Sequence, residues 1–329
     1  MAQGPVPARR LLYVAGANRS GSTLLEVLLA QHPDVLSAGE LFNAARALRD
    51  PGEPCTCGAR LGACPLWGPV AADLQALART RGMTIKDLAK ALRRIEGIGA
   101  LADHLRGRAP AGDVELYTAV QRLVLDRVWR TRPAARVLVD PSKSERGAAA
   151  RPLALQSSLG IDVCVVHLVR DPRGIVSSAR RGTNKTIVRG EERRRVSGPL
   201  ALASWLQVNR AVEKIVDCLG PGRALRVRFE DLVTRPADTL GAICAFAGLD
   251  PAPALAGLAS PELRAPEHMI AGNRLRFAPI RLDARQASPV VPWYYRPLCR
   301  AVARLADRAR SGVETESCVQ PASPPYTTA

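Results

Sequence analysis

The sequence has few aromatic residues and no long apolar run. Phenylalanine, tryptophan and tyrosine together make up 4% of the 329 residues. No uninterrupted apolar run approaches the roughly 18–20 residues of a membrane-spanning helix, so we expect no stable membrane insertion. The scarcity of aromatic residues disfavours nucleic-acid binding, and the sequence contains no zinc-finger, RRM or basic-zipper pattern.

Lysine is also scarce, although the chain is strongly basic. Of 47 basic residues five are lysine, which leaves 42 arginines, and the formal net charge is +17. A basic protein attracts anions in general, so nucleic acid and a small polyphosphorylated ligand are both candidate partners. A diffusely charged, solvated surface would have the same composition.

The N-terminal segment lacks the long apolar region of a signal peptide. Residues 1–9 are predicted to be flexible, and the short apolar run at 11–15 leads directly into a glycine-containing loop. We interpret this run as a first buried strand and expect a cytoplasmic protein. Residues 311–329 have the composition of a disordered tail.

Four short apolar runs, each followed by turn residues and a helical pattern, predict an α/β fold. They are LLYVA (11–15), RVLVD (136–140), VCVVHLV (163–169) and ALRVRF (224–229). Such strands, alternating with helices, indicate a P-loop-type parallel sheet flanked by helices on both faces. Ligands of these sheets bind at the carboxyl ends of the strands, and polar residues follow all four runs there.

The remaining patterns divide the chain further. Residues 10–310 are predicted to form a single domain, in which about 50–135 form a helical insertion or cap over the sheet. Residues 180–198 are polar without clear periodicity, and we predict a mobile loop there. The arginines at 193–195 within it are more typical of an exposed face than of an acceptor-binding patch.

The stretch GANRSGST (16–23) has the spacing of a P-loop, but a serine stands where the lysine belongs. In such a turn, successive backbone N–H groups and the dipole of the following helix attract a phosphate. The lysine of an NTPase reaches the β- and γ-phosphates, and its Ser/Thr holds magnesium. A ligand without a γ-phosphate requires neither. The predicted phosphate-binding residues are Arg19, Ser20, Gly21, Ser22 and Thr23, unless the segment is merely a tight strand–helix turn.

A second arrangement is present in HLVRDPRGIVSSARR (167–181). Arg170 ends an apolar strand, Pro172 suits the first turn of a helix, and Ser178 follows the arginine by about two helical turns. An arginine and a hydroxyl group placed in this way can bind one phosphate from two sides. An Arg-Asp pair at a helix start is also commonly a capping ion pair.

Together the two segments resemble the PAPS-dependent sulfotransferase family, where PAPS is 3′-phosphoadenosine 5′-phosphosulfate. The resemblance implies that NRSGSTLL binds the 5′-phosphosulfate and that Arg170 and Ser178 bind the 3′-phosphate. The loop is most similar to the carbohydrate and tyrosylprotein branches, which have an arginine, here Arg19, where cytosolic aryl sulfotransferases have lysine. The implied acceptor is a hydroxyl group of a carbohydrate, glycolipid or small metabolite, and no metal is required.

Three further segments resemble the family. In QHPDVLSAGELF, Glu40 matches the catalytic base of the tyrosylprotein branch, although it would otherwise be a surface carboxylate. In VLVDPSKS, Lys143 would stabilise the transferring group together with the loop arginine, or simply cap its segment. HMIAGNRLRF resembles a loop that closes on the nucleotide, which makes Arg274 and Arg276 candidates. His104 is the rival base, but its context DHLRGR lacks the motif of the cytosolic relatives.

Two other functions are compatible with parts of the sequence. A P-loop nucleotide or small-molecule kinase would share the fold, but it should have a lysine in place of Ser22. A nucleic-acid-binding protein would explain the charge but not the paired phosphate motifs. The sequence does not indicate the acceptor or the oligomeric state.

Three of the eight cysteines cluster in CTCGARLGACPLW (55–67). Structural thiols, a metal site and a redox pair are the possible interpretations of Cys55, Cys57 and Cys64. Zinc requires a fourth ligand, for which His32 or His104 is a candidate only if the fold brings one of them close. A disulfide is disfavoured in a reducing cytosol. The sequence favours structural thiols but does not decide among these roles, and no metal claim follows from it.

Overall fold

Five parallel strands form one sheet in the computed structural model, which describes residues 9–180, 196–260 and 262–310. The strands are β1 (Arg10–Ala15), β2 (Val35–Ser37), β3 (Val137–Asp140), β4 (Asp162–Val169) and β5 (Ala224–Arg228). Their order is β2-β3-β1-β4-β5, and each neighbouring pair is parallel. The predicted α/β fold class and the four predicted strands are confirmed. The described residues do not include 181–195 or 311–329, so the predicted tail and most of the predicted loop at 180–198 lie outside them.

Helices connect the strands and cover the sheet. They are α1 (Ser22–Leu29), α2 (Arg46–Arg49), α3 (Trp67–Thr80), α4 (Ile85–Glu96), α5 (Ile98–Leu105), α6 (Val114–Arg130), α7 (Arg151–Leu159), α8 (Pro172–Arg180), α9 (Gly198–Leu219), α10 (Phe229–Thr234), α11 (Pro236–Ala247), α12 (Pro251–Gly257) and α13 (Tyr295–Arg310). Helices α3 to α6 fall within the stretch predicted to be a helical cap. The division into one domain with a cap stays a prediction. Within the described ranges, no helix is long and apolar enough to cross a membrane.

The strands bury side chains on both faces because successive residues of a strand point to opposite sides. On β1, Leu11 and Tyr13 belong to one apolar core, which also contains residues of α3, α6, α7 and α9. Leu12 and Val14 belong to a second core with residues of α1, α10, α11 and α12. The nearly continuous apolar sequence of the strands is the result of this burial on both faces.

The strand order brings distant segments to one edge of the sheet. Strand β1 lies between β3 and β4, so the chain crosses from one side of β1 to the other after β3. Such a switch point opens a crevice at the carboxyl end of the central strand. The loops after β1, β2, β3 and β4 all lie at this edge, and they contain the predicted site residues Arg19, Glu40, Lys143 and Arg170.

Candidate active site

The loop after β1 forms a tight turn that leads into α1. Gly16 and Gly21 have φ values of 153° and 102°, and a Cβ atom added to Gly21 would lie 2.3 Å from the Phe229 ring. Arg19 also adopts a positive φ, 71°, which is uncommon for a residue other than glycine. The first backbone N–H groups of α1 have no partner within the helix. The turn therefore has the form of an anion-binding loop.

The hydroxyl groups of this loop are buried. Ser20, Ser22 and Thr23 are all less than 7% exposed. The Ser20 Oγ atom has no hydrogen-bond partner in the described part of the chain, whereas Thr23 Oγ1 accepts a hydrogen bond from the Asn273 backbone at 3.2 Å. A buried hydroxyl group without a partner is rare in proteins and is consistent with a ligand at this position. Ser22 occupies the P-loop lysine position as a small buried side chain.

Arg19, Arg170 and Ser178 lie together, although 151 residues separate the two arginines. The Arg19 Nη1 atom donates hydrogen bonds to the Ser178 carbonyl oxygen at 2.9 Å and to Ser178 Oγ at 2.8 Å. Arg170 Nη1 donates to the Arg19 carbonyl oxygen at 3.0 Å. The structure thus joins the two predicted phosphate-binding segments into one cluster with two guanidinium groups and a hydroxyl group.

The position of Arg170 depends on neighbours that sequence reasoning missed. Its guanidinium group lies 3.9 Å from the centre of the Phe229 ring, and its carbonyl oxygen accepts a hydrogen bond from Trp205 Nε1 at 2.9 Å. A Cβ atom added to Gly174 would lie 2.7 Å from Arg170 Nε. The sequence signal for this packing is the glycine within the helical pattern RDPRGIVSS. An isolated glycine in a helix often marks a position where another group packs closely against the backbone.

Glu40 and Lys143 form an ion pair at the ends of β2 and β3. Lys143 Nζ donates to Glu40 Oε1, and Asn43 Nδ2 donates to Glu40 Oε2 at 3.0 Å. The two side chains are 15% and 11% exposed, so both are largely buried. The backbone of Phe42 donates to Ser142 Oγ at 2.9 Å and ties the two loops together. The predicted base and the predicted stabilising cation therefore share one location.

A second carboxyl group, Glu26 on α1, lies beside this pair and was not indicated as a site residue by the sequence. Its Oε1 atom accepts hydrogen bonds from Ser37 Oγ and, at 3.0 Å, from the Gly39 backbone. Burial raises the pKa of Glu26 to about 8, and the negative charge of Glu40 adds to this effect. Glu26 is thus mostly protonated at neutral pH, so it holds the turn before Glu40 without adding a second negative charge.

The loop at 268–277 contacts both halves of the site. Ile270 donates from its backbone to the Ala38 carbonyl oxygen at 2.8 Å and accepts from the Glu40 backbone at 2.9 Å. Three residues later, Asn273 donates from its backbone to Thr23 Oγ1. This loop therefore connects the base-bearing turn to the phosphate loop.

The two arginines predicted in this loop have different environments. Arg276 is buried, donates to the Gly272 carbonyl oxygen at 3.0 Å and lies 4.4 Å from the Phe277 ring centre. Arg274 is exposed. Gly272, to which Arg276 is bonded, lies next to the N-terminus of α1, so the structure brings Arg276 closer to the phosphate loop than the pattern alone indicates.

A fully buried ionic network supports the segment that contains Lys143. Arg151 donates to Asp140 Oδ2 at 3.0 Å and to Glu96 Oε1. Burial alone would lower the pKa of Arg151, but these two carboxylates outweigh it and raise the pKa. Asp140 Oδ1 accepts hydrogen bonds from the backbones of Leu41 and Ser142 at 3.3 and 3.1 Å. The network therefore fixes the loops after β2 and β3 relative to the helical region.

His104, the alternative base, lies in α5 and not on a loop at the carboxyl edge of the sheet. Its side chain is buried, and Nε2 lies 2.9 Å from the Ile95 carbonyl oxygen, to which it donates. Burial lowers the pKa of His104. The imidazole is therefore occupied by a structural hydrogen bond inside the helical region.

The three clustered cysteines meet a histidine that the sequence does not indicate. Cys64 Sγ lies 3.6 Å from Cys55 Sγ, 3.8 Å from Cys57 Sγ and 3.3 Å from His268 Nδ1. His32 does not supply a fourth ligand to these cysteines, because its Nε2 donates to the Asp250 carbonyl oxygen at 2.9 Å. His104 in α5 does not supply one either, because its Nε2 donates to the Ile95 carbonyl oxygen.

Comparison with known proteins places these observations in a family. A model of the sulfotransferase family matches residues 12–61 and 67–253, which is more than half of the chain. The sulfotransferase domain from the curacin biosynthetic pathway aligns with a TM-score of 0.52 at 21% identity over 92% of this chain and 99% of that one. The sulfotransferase domain of the Synechococcus PCC 7002 olefin synthase aligns with a TM-score of 0.50 at 23% identity over 95% and 99%.

These two structural similarities concern the fold, because both identities are low. No curated protein matches the chain. The family match, by contrast, extends over both predicted phosphate-binding segments and over the strands that hold them. The chain accordingly belongs to the sulfotransferase family, and it is an enzyme of sulfuryl transfer.

Proposed function

We propose that this sulfotransferase takes its sulfuryl group from PAPS and transfers it to a hydroxyl group of a carbohydrate, glycolipid or small metabolite. The observation that carries the proposal is the cluster of Arg19, Arg170 and Ser178 beside the N-terminus of α1. PAPS has two separate anionic groups, and this cluster adjoins a phosphate loop. A donor with phosphates at both ends of its ribose fits this arrangement of cations.

In this proposal the phosphate loop binds one anionic end of the donor, and Arg170 together with Ser178 binds the other. The 5′-phosphosulfate binds to the backbone N–H groups and buried hydroxyl groups of the loop, and Arg170 and Ser178 bind the 3′-phosphate. Arg276 contributes from the loop that contacts Thr23, and the exposed Arg274, two residues earlier, is the second candidate from this loop. The loop residues concerned are Arg19, Ser20, Gly21, Ser22 and Thr23.

Glu40 is the proposed base. It accepts the proton of the acceptor hydroxyl group, whose oxygen attacks sulfur while the bond between sulfur and the bridging phosphate oxygen breaks. The products are a sulfate ester and adenosine 3′,5′-bisphosphate. Lys143, which already contacts Glu40, and Arg19 stabilise the negative charge that develops on the transferring and leaving groups. The buried, carbonyl-bound His104 is not needed for this chemistry.

Replacing Arg170 with alanine tests the donor. An arginine–phosphate contact contributes roughly 1.5–3 kcal/mol, which corresponds to about 10- to 150-fold in binding. We expect the variant to bind adenosine 3′,5′-bisphosphate more weakly by this factor and to bind 5′-AMP almost as before. Isothermal titration of both nucleotides against wild type and variant gives the ratio of the two dissociation constants.

Arg173→Ala is the matched control, because it removes a positive charge from the start of α8, three residues after Arg170. Arg173 is half-exposed and pairs with Asp171 at 2.7 Å, so its loss should leave the ratio unchanged. Ser178→Ala should shift the ratio in the same direction as the Arg170 change, but less. A wild type that shows no preference for the 3′-phosphorylated nucleotide would refute PAPS as the donor.

Turnover should not require magnesium. Ser22 replaces the lysine that reaches a γ-phosphate, and the Thr23 hydroxyl accepts a hydrogen bond from Asn273, so the loop lacks the arrangement of a magnesium-nucleotide site. The rate measured in magnesium-free buffer should equal the rate with millimolar magnesium. Strict dependence on added magnesium would favour the kinase interpretation of the loop.

A further inference from the structure

We propose that Cys55, Cys57, Cys64 and His268 bind a zinc ion, which fastens the loop at 268–277 over the nucleotide site. The four side chains each offer one ligand atom, and these atoms all lie within 4.8 Å of one another. Three of the ligands come from one ten-residue segment, and the fourth comes from a loop more than 200 residues away. The site would therefore join two segments that the sheet does not connect.

The distances agree with tetrahedral coordination. Zinc binds thiolate sulfur at about 2.3 Å, so two sulfur atoms of a tetrahedral site lie about 3.8 Å apart, and a sulfur and an imidazole nitrogen lie slightly closer. The observed separations of Cys64 Sγ from the other sulfur atoms are 3.6 and 3.8 Å, and its separation from His268 Nδ1 is 3.3 Å. These values are far above the roughly 2.05 Å of a disulfide bond.

The backbone around the cysteines prepares this geometry. Between Cys55 and Cys57 the chain begins a tight turn, in which the Cys55 backbone donates to the Ala59 carbonyl oxygen at 2.9 Å and Gly58 donates back to Cys55 at 3.1 Å. Gly58 has a φ of 89°. The turn places two thiols on one side, and the short helical segment Leu61–Ala63 returns the chain so that Cys64 faces them.

The histidine is held in position by contacts of its own segment. Trp67 Nε1 donates to the His268 carbonyl oxygen, and the Met269 backbone donates to Thr56 Oγ1 at 2.8 Å. His268 has a φ of 63°, a left-handed conformation that turns its ring towards the cysteines. The second ring nitrogen lies 3.8 Å from a carboxylate oxygen of the exposed Glu267, which is longer than a hydrogen bond.

The ligand set favours zinc over other cations. Three thiolates and one imidazole form a closed set of soft ligands that is characteristic of structural zinc, whereas magnesium and calcium prefer oxygen ligands. With four protein ligands no position stays open for substrate. The role that follows is structural, and it is compatible with sulfuryl transfer that requires no metal in the reaction itself.

The consequence for the active site depends on the position of His268 in the chain. Two residues later, Ile270 makes the two backbone hydrogen bonds to Ala38 and Glu40, and Asn273 then contacts Thr23. A metal at His268 fixes the beginning of this loop to the segment at 55–64. Loss of the metal should therefore loosen the loop over both the base and the phosphate loop.

The experiment measures the zinc content of the full chain, purified under reducing conditions without a metal-binding tag. Elemental analysis should find about one zinc ion per chain, as for a site with four protein ligands. Cobalt substitution should give the visible absorption bands of tetrahedral cobalt with thiolate ligands. Both readouts are taken without substrate, so they do not depend on the identity of the donor.

Four variants make the assignment specific. Cys57→Ser and His268→Ala should lose most of the zinc, whereas His268→Cys should retain it, since four cysteines also form a zinc site. Cys244→Ser removes a buried thiol of α11 outside the cluster and should keep the wild-type zinc content. If Cys57→Ser or His268→Ala proves insoluble, the comparison of His268→Cys, Cys244→Ser and wild type still decides whether metal is present.

Limited proteolysis tests the proposed role of the ion. Removing zinc from wild type with a strong chelator should accelerate cleavage within 264–277, and added zinc, but not magnesium, should reverse this. The proposal is overturned if folded wild type contains no zinc or if mass spectrometry finds a disulfide between two of the three cysteines. Equal zinc content in Cys57→Ser, His268→Ala and wild type would also overturn it, because the ion would then lie elsewhere.

Discussion

Glu40→Gln should lower kcat by roughly 10²–10⁴-fold, the range usual for loss of a general base. Glutamine keeps the shape of the side chain and can still accept the hydrogen bond from Asn43, but it cannot take a proton from the acceptor. Donor affinity should be almost unchanged, because the role proposed for the carboxylate is to act on the acceptor. Initial rates with saturating donor, together with titration of adenosine 3′,5′-bisphosphate, separate the two quantities.

Glu115→Gln is a suitable control for this change. Glu115 is an exposed carboxylate on α6 that pairs with Arg81, so the substitution has the same chemistry away from the site. Its kcat should equal that of wild type. Near-normal kcat in Glu40→Gln would remove this residue from the mechanism.

Arg151→Met should lower the free energy of unfolding by about 3–5 kcal/mol, since it leaves buried carboxylates without their cation. Both Glu96 and Asp140 contact the guanidinium group, and all three side chains are at most 2% exposed. Methionine fills a similar volume, so the loss measures mainly the unpaired charge. Urea denaturation followed by circular dichroism gives the free energy for wild type and variant.

The comparison for this prediction is Arg127→Met. Arg127 pairs with Asp73 at 2.6 Å, but both side chains are about one third exposed, and such pairs contribute roughly 0–1 kcal/mol. If the free energy of unfolding fell equally in the two variants, the buried Arg151 network would contribute no more to stability than an exposed ion pair. Adding Glu96→Gln to Arg151→Met should restore part of the lost stability, because one buried charge is then removed.

Most of the sheet could be predicted from the sequence because β1, β3 and β4 are mostly apolar runs buried on both faces, and the partly exposed edge strand β5 still contains a short apolar run. The exception is β2, whose three residues, VLS, are too few to show a period. Without β2, the contact between Glu40 and Lys143 could not be predicted. The two residues follow β2 and β3, and they meet because these two strands are neighbours in the sheet. A pairing over such a sequence distance depends on strand order, which no local pattern contains.

For the candidate site, too, the sequence predicts residues within local motifs but not the contacts between distant segments. The sequence predicts Arg19, Arg170 and Ser178 individually, because each belongs to a local motif. It does not predict that Arg19 donates to Ser178, since that contact requires β4 to lie beside β1. Glu26 was missed because a glutamate in an apolar helix shows its burial only when the helix is packed. The roles assigned to these residues stay predictions.

The backbone pairing between Ile270 and the Gly39–Glu40 turn bears on how the Glu40 side chain is held. Any outward displacement of this loop breaks the hydrogen bonds to Ala38 and Glu40 at the same moment. The backbone on either side of Gly39 would then lose its hydrogen-bonding partner, while the Glu40 carboxylate would keep its contacts with Lys143 and Asn43. The orientation of this side chain therefore depends on the loops after β2 and β3 more than on the loop at 268–277.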